Sequence, residues 1–201
     1  MKNNENGRSM VEMLGVLAII GVLSAGGLAG YSKAMFKHKL NSTMDQITML
    51  VTNIRTMYGT QGNYAGLDEG TAYDLGIVPS VMVASDGRKD KDGKAVQGGK
   101  LALTNPFKGD VEIETFSATN GTDTTTGFKL TYKDVTPEAC VALSTADFGS
   151  GAGSGFIGVA VGDAKTATYI GEEGQTEGSA LTMDEAITAC NTTDDITWYF
   201  Y

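Results

Sequence analysis

The sequence predicts an α+β fold, with one long N-terminal helix packed on an antiparallel sheet, and three observations carry that expectation. Residues 13–31 (MLGVLAIIGVLSAGGLAGY) contain no charge, and apolar residues continue at helical spacing as far as Tyr58. Beyond residue 100 come short strand-like segments separated by turn residues, without the strand–helix alternation of a parallel βαβ sheet. Two cysteines, Cys140 and Cys190, bracket a stretch rich in Gly, Ser and Thr.

The first element is a membrane-entering segment. As a helix, residues 13–31 span about 28 Å, close to the hydrocarbon thickness of a bilayer. Lys2 and Arg8 precede the run, Lys33, Lys37, His38 and Lys39 follow it, and no comparable run occurs elsewhere. Three readings compete. The segment is a cleaved secretory signal, with Ser24, Ala25 and Gly26 near the cut; or a single-span anchor; or a helix that waits in the membrane and later packs into a protein assembly. Glu12 discriminates among them. A carboxylate at the mouth of an apolar stretch costs up to about 2.5–3.5 kcal/mol if drawn to mid-bilayer, less near the interface. A signal or plain anchor gains nothing from it, unless the side chain simply snorkels to the headgroups. The glycines at 15, 21, 26, 27 and 30 fit close helix–helix approach, local melting, or the ordinary tolerance of glycine in membrane helices.

The second element follows without a break. Phe36, Leu40, Met44, Ile47, Val51, Ile54 and Tyr58 recur every three or four residues, a single stripe on a helix, and Gly59 is the expected stop. Neither Pro nor Gly interrupts residues 31–58, so the two elements read as one rod of about 45 residues. Its first half is apolar all round and its second half on one face. The first half needs lipid or other helices around it; the second needs its own globular domain.

The remaining elements build that domain. Residues 111–118 and 127–133 read as strands of a hairpin with Asn120-Gly121 between them. Thr136-Pro137 opens a short helix carrying Cys140, and Thr182-Met183-Asp184-Glu185 is a capping box for another ending near Cys190. Residues 156–161, 166–170 and 196–201 are further strands, and 86–100 is a charged, glycine-rich loop. The even cysteine count in a chain that leaves the cytoplasm favours a disulfide between Cys140 and Cys190, over two unrelated buried thiols. Such a clamp closes a loop of about 50 residues and is worth about 4 kcal/mol on a chain-entropy estimate.

Composition narrows the function. Fifteen Lys+Arg against 24 Asp+Glu give a net charge of −9, so nucleic acid is not the main partner. One histidine and two cysteines exclude zinc-finger and iron–sulfur sites. No cofactor, metal site or catalytic group is expected, and the chain does not read as an enzyme. Asp90-Lys91-Asp92-Gly93 lacks the first and twelfth ligands of a calcium loop, which fall on Arg88 and Gly99. The triplets beginning at Asn41, Asn120 and Asn191 match the glycosylation pattern, as chance allows in a Thr-rich chain. His38 reads as a headgroup-facing residue. Met35, Met44, Met49 and Met57 read as helix packing.

Gly7-Arg8-Ser9-Met10-Val11-Glu12 ahead of the apolar run resembles the processing site of type IV prepilins, and the helix after it resembles the long pilin helix. The order of later blocks is similar to the type IVb pilins, the group of the toxin-coregulated and conjugative thin-pilus subunits. These blocks are residues 58–64 (YGTQGNY), 105–109 (NPFKG), 135–140 (VTPEAC) and a second cysteine at 190, whereas residues 65–104 match poorly. Arg8 departs from the Phe, Met or Leu that usually begins the mature chain, which bears on N-methylation of the new terminus more than on cleavage. The leader is also short for the type IVb group.

The resemblance implies a pilin αβ-roll in three parts. Residues 1–7 are a prepilin leader, 8–31 the hydrophobic transmembrane and filament-core half of the helix, and 32–201 the globular head. The head includes the amphipathic helix 32–58 and the disulfide-closed region 140–190. The implied function is a structural subunit of a type IVb-like pilus, with adhesion, aggregation or conjugation-type roles. A prepilin peptidase cuts between Gly7 and Arg8 at the inner membrane, and the pilus assembly machinery then builds an extracellular homo-oligomeric filament. Glu12 and the apolar Met13, Leu14, Val16, Leu17, Ile19 and Ile20 are the expected assembly residues, with Glu12 paired to the freed α-amine of a neighbouring Arg8. The alternatives are a pseudopilin of a secretion apparatus and an exported soluble binding domain whose signal is cut near residues 24–27.

Overall fold

Helix α1, Asn6–Tyr58, is unbroken for 53 residues in the computed structural model, which describes residues 6–83, 102–118, 123–149, 155–162, 164–165 and 180–201. Absence of proline throughout the first 58 residues lets the hydrogen-bond ladder continue. The helix exceeds the expected 45 residues because it begins upstream of the apolar run. The chain divides into two compact units, Met1–Lys39 and Leu40–Tyr201. Among described residues the first unit is helix alone.

In the second unit, α1 buries Thr43, Ile47, Leu50, Val51, Ile54 and Tyr58 and leaves Asp45, Thr48, Thr52 and Thr56 exposed. The expected stripe is present, with Leu50 and Thr43 added. Phe36, Leu40 and Met44 are only half-buried. The hydroxyls of Thr48, Thr52 and Thr56 each donate to the carbonyl four residues back, at 2.9, 2.8 and 2.7 Å. These β-branched residues thus satisfy their own polar groups on the outer face.

Helix α2 (Glu69–Asp74) follows, N-capped by Asp68, whose carboxylate accepts from the Thr71 amide at 2.7 Å. A 3₁₀ turn, Ser80–Met82, comes next. Among the described residues six strands form one antiparallel sheet: β1 Leu103–Thr104, β2 Asp110–Phe116, β3 Gly127–Tyr132, β4 Phe156–Val161, β5 Ala164–Lys165 and β6 Ile196–Phe200. Their spatial order is β1-β2-β3-β6-β4-β5, so the last strand lies at the centre. Register runs Val111↔Tyr132 to Phe116↔Gly127 between β2 and β3, and Phe128↔Phe200 to Tyr132↔Ile196 between β3 and β6.

Alternation decides the inner face of this sheet. Val111 and Ile113, Phe128, Leu130 and Tyr132, and Ile196, Trp198 and Phe200 are all buried. Phe128 stacks on Phe200 at 5.4 Å, and Tyr132 meets Trp198 edge-on at 5.4 Å. Tyr64 touches both Tyr58 (5.8 Å) and Phe128 (4.9 Å), tying the turn after α1 to the sheet. Outward-facing residues pair across strands: Lys129 with Glu114 at 2.9 Å, and Thr131 with Thr197 at 2.9 Å.

Strand β4 does not alternate; all six of its residues are buried. Helices α3 (Pro137–Ser144) and α4 (Met183–Cys190) pack against it, which explains the continuous apolar run FIGVAV. Small residues on the two helices, Ala139, Ser144, Ala186 and Ala189, are buried. Cys140 and Cys190 are bonded, with Cα atoms 5.8 Å apart and both residues buried. The capping box is present: Glu185 accepts from the Thr182 amide at 3.0 Å while the Thr182 side chain caps the Glu185 amide. Replacing both cysteines with alanine is expected to remove about 4 kcal/mol from the stability of the detergent-solubilised full chain, read as an earlier urea midpoint.

Several strand limits differ from those expected by a residue or two: β2 ends at Phe116, β3 at Tyr132 and β6 at Phe200. The sequence reading missed α2, β1 and β5, which are too short for periodicity to reveal. The hairpin tip at Asn120-Gly121, the loop 86–100 with its calcium-like tetrad, and the expected strand 166–170 lie outside the described residues.

Candidate assembly site

The apolar half of α1 is an exposed surface. From Met10 to Leu28 every large apolar side chain is more than half accessible, from 52% at Ile20 to 73% at Val22. Met13, Leu14, Val16, Leu17, Ile19 and Ile20, the expected assembly residues, cover more than half of the helix circumference, and the exposed Val11 and Val22 lie on the rest. Burial is worth about 1.5–3 kcal/mol for each such side chain, so eleven of them left in water forgo more than the whole stability of an ordinary domain, about 5–15 kcal/mol. The surface is suited to lipid or to other apolar helices. The helix is long and apolar enough to cross a membrane.

Within this surface, a Cβ added at Gly15, Gly21, Gly26, Gly27 or Gly30 would meet nothing within 4 Å. These positions present bare backbone to any neighbour, the geometry that permits close helix approach. Glu12 is exposed one position before the run. Gly7 and Arg8 are helical in backbone, so the expected cleavage bond lies in the first turns of α1, and residues 1–5 of the expected leader lie outside the described residues.

The second unit presents a differently built surface. Arg55 ties α1 to the last strand: Nε donates to the Tyr201 carbonyl at 3.0 Å, and the guanidinium lies 5.8 Å from the Phe200 ring centre. Burial pushes Arg55 below its ordinary value although Tyr64 beside it acts the other way, and burial pushes the Tyr64 phenol up against the opposing effect of Arg55. Gly155, at φ +66°, lies against the same guanidinium, where a side chain would collide with it. On the sheet, Lys133 is held above its usual value first by its 2.7 Å bond to Glu112.

Two buried polar groups stabilise this unit and were not evident from the sequence. Glu69 is buried, and its Oε1 accepts from the Ile113 amide at 3.1 Å, meeting a backbone donor of β2 beyond the short reach of β1. Glu69→Ala is expected to cost about 1–3 kcal/mol, and Glu69→Gln, which keeps an acceptor, clearly less, as measured by urea unfolding. Asn105 anchors the turn at 105–109. Its Oδ1 accepts from the Phe107 and Gly109 amides at 2.8 and 3.1 Å, while its Nδ2 donates to the Lys133 carbonyl at 2.8 Å. No group of His, Cys, Asp or Glu suited to a metal ion occurs among the described residues.

Comparison with known proteins agrees with this architecture. Over 195 residues the chain is 29% identical to the major structural subunit of bundle-forming pilus from Escherichia coli O111:H-, an alignment covering 96% of this chain and 91% of that protein. The corresponding subunit from Escherichia coli O127:H6 matches to the same extent. Among solved structures, a type IV b pilin from Salmonella typhi superposes with a TM-score of 0.51 at 19% identity, covering 80% of this chain and 97% of that one, which supports the fold. A family model described as Bundlin matches residues 33–197, most of the second unit and the end of the first. On that match, the chain belongs to the bundlin family.

Proposed function

We propose that this protein is a structural subunit of a type IVb-like pilus, and that assembly rather than catalysis is its task. The observation that carries the reading is the apolar half of α1, exposed on all sides in a chain of the bundlin family. Residues 1–7 act as the leader, 8–31 as the membrane and filament-core helix, and 32–201 as the head. A prepilin peptidase cuts between Gly7 and Arg8 at the inner membrane. The assembly machinery then draws the subunit into an extracellular fibre, where Met13, Leu14, Val16, Leu17, Ile19 and Ile20 exchange lipid for the helices of other copies. Contacts of this kind are heterologous and do not close, so they propagate a helical filament. Glu12 pairs with the freed α-amine of Arg8 on a neighbour, which sets register more than net stability because desolvation offsets much of the attraction. The buried Cys140–Cys190 bond keeps the outer part of the head intact outside the cell.

Fibres sheared from producing cells test this directly. N-terminal sequencing is expected to start at Arg8, and electron microscopy to find filaments made of the chain. Extracellular protein that starts beyond Gly26 and sediments as a monomer overturns the reading.

A further inference from the structure

Just beyond the charge-free run stand Lys33, Lys37, His38 and Lys39, and no Asp or Glu occurs between Met13 and Met44. Lys33 and Lys37 are exposed, lie one turn apart on α1, and form no ion pair among the described residues. Like charges at that spacing weaken a helix slightly. Their position also works against membrane insertion. The Cys140–Cys190 bond belongs to an oxidising compartment, which puts the head on the exported side. The lysines therefore flank the span on its exported side, whereas topology favours Lys and Arg on the cytoplasmic side. Neither helix formation nor membrane insertion therefore accounts for lysines at these positions.

The other unit supplies the complement. Residues 40–201 hold 10 Lys+Arg and 22 Asp+Glu, a net charge of −12, whereas residues 1–39 hold 5 and 2. Building on the filament reading above, we propose that Lys33 and Lys37, with Lys39 adding to their field, form a basic collar that docks on the acid-rich head of a second copy. Each subunit then carries a basic segment and an acid-rich one, and the fibre pairs the first of one copy with the second of another. The contact orients an incoming subunit and relieves repulsion between heads brought together at −12 each. An anionic lipid surface fits less well. A subunit gives up headgroup contacts when it leaves the bilayer, and it acquires neighbouring heads at that same step.

The test uses the full-length chain in cells that export it, with K33R/K37R and K33E/K37E compared with wild type. The arginine variant is expected to give wild-type amounts of sheared fibre. The glutamate variant is expected to give at least tenfold less, while its subunit stays in the membrane, processed and with the disulfide closed. Isolated wild-type fibres are expected to dissociate sooner in 1 M than in 0.05 M sodium chloride, because salt screens exposed charge pairs. Wild-type fibre yield from K33E/K37E overturns the proposal. So does a glutamate variant that fails to enter the membrane with its cysteines oxidised, since the collar then serves the lipid surface. Absence of fibres from the wild-type chain is a separate result, and it overturns the filament reading and this proposal together.

Discussion

Glu12→Ala is expected to abolish fibres while folded, disulfide-bonded subunits accumulate in the membrane. In the proposed pairing the substitution leaves the α-amine of a neighbouring Arg8 buried among apolar helices without its counter-charge. Breaking a buried pair from one side costs about 3–5 kcal/mol, or about two to four orders of magnitude in each association step. The head is not expected to respond, because Glu12 lies in the first unit and the buried core lies in the second. The measurement is the yield of sheared fibre against the amount of oxidised subunit in the membrane fraction. Fibres from Glu12→Ala at wild-type yield refute the pairing, and a fall in both quantities marks a defect of insertion rather than assembly.

Gly109→Ala is expected to be among the most damaging single changes in the head, lowering stability by about 3 kcal/mol. A Cβ at this position would run into the carbonyl of Lys133 and come within 2.8 Å of the Asp134 Cβ. That carbonyl already accepts from Asn105, so it cannot move away without releasing the side chain that holds the turn. Lys108 provides a control of opposite sign. It sits at φ 75°, a conformation that disfavours any side chain, so Lys108→Gly is expected to leave stability unchanged or raise it by up to about 1 kcal/mol. Both effects are read as urea midpoints of the full chain in detergent. Equal midpoints for Gly109→Ala and wild type would show that the turn yields more easily than its packing implies.

How much was legible in advance follows from the range of each interaction. The spacing from Ile47 to Tyr58 marks the buried face of α1 because helical period is a local property. Thr182 and Glu185 reveal a cap because capping joins residues three apart, and Thr136-Pro137 marks a helix start because proline fixes its own φ. Leu50 was missed because the chosen stripe took Val51 at that turn, although both are buried. Asn105 was visible only as part of a short block resembling a family. Its role depends on Lys133, 28 positions away, and that of Glu69 on Ile113, 44 positions away. Arg55 carries no signal in the sequence, because its role depends on Tyr201, Phe200 and Tyr64, which only the fold brings around it.

The sequence by itself determined where the chain is apolar, where it turns, and that its N-terminal helix requires surroundings other than water. Those properties arise from residues close together along the backbone. Only the tertiary structure decided that the last strand lies at the centre of the sheet, that β4 is covered on both faces, and which buried polar groups meet. Such outcomes depend on which distant segments share a surface, and no local pattern in the chain records that choice.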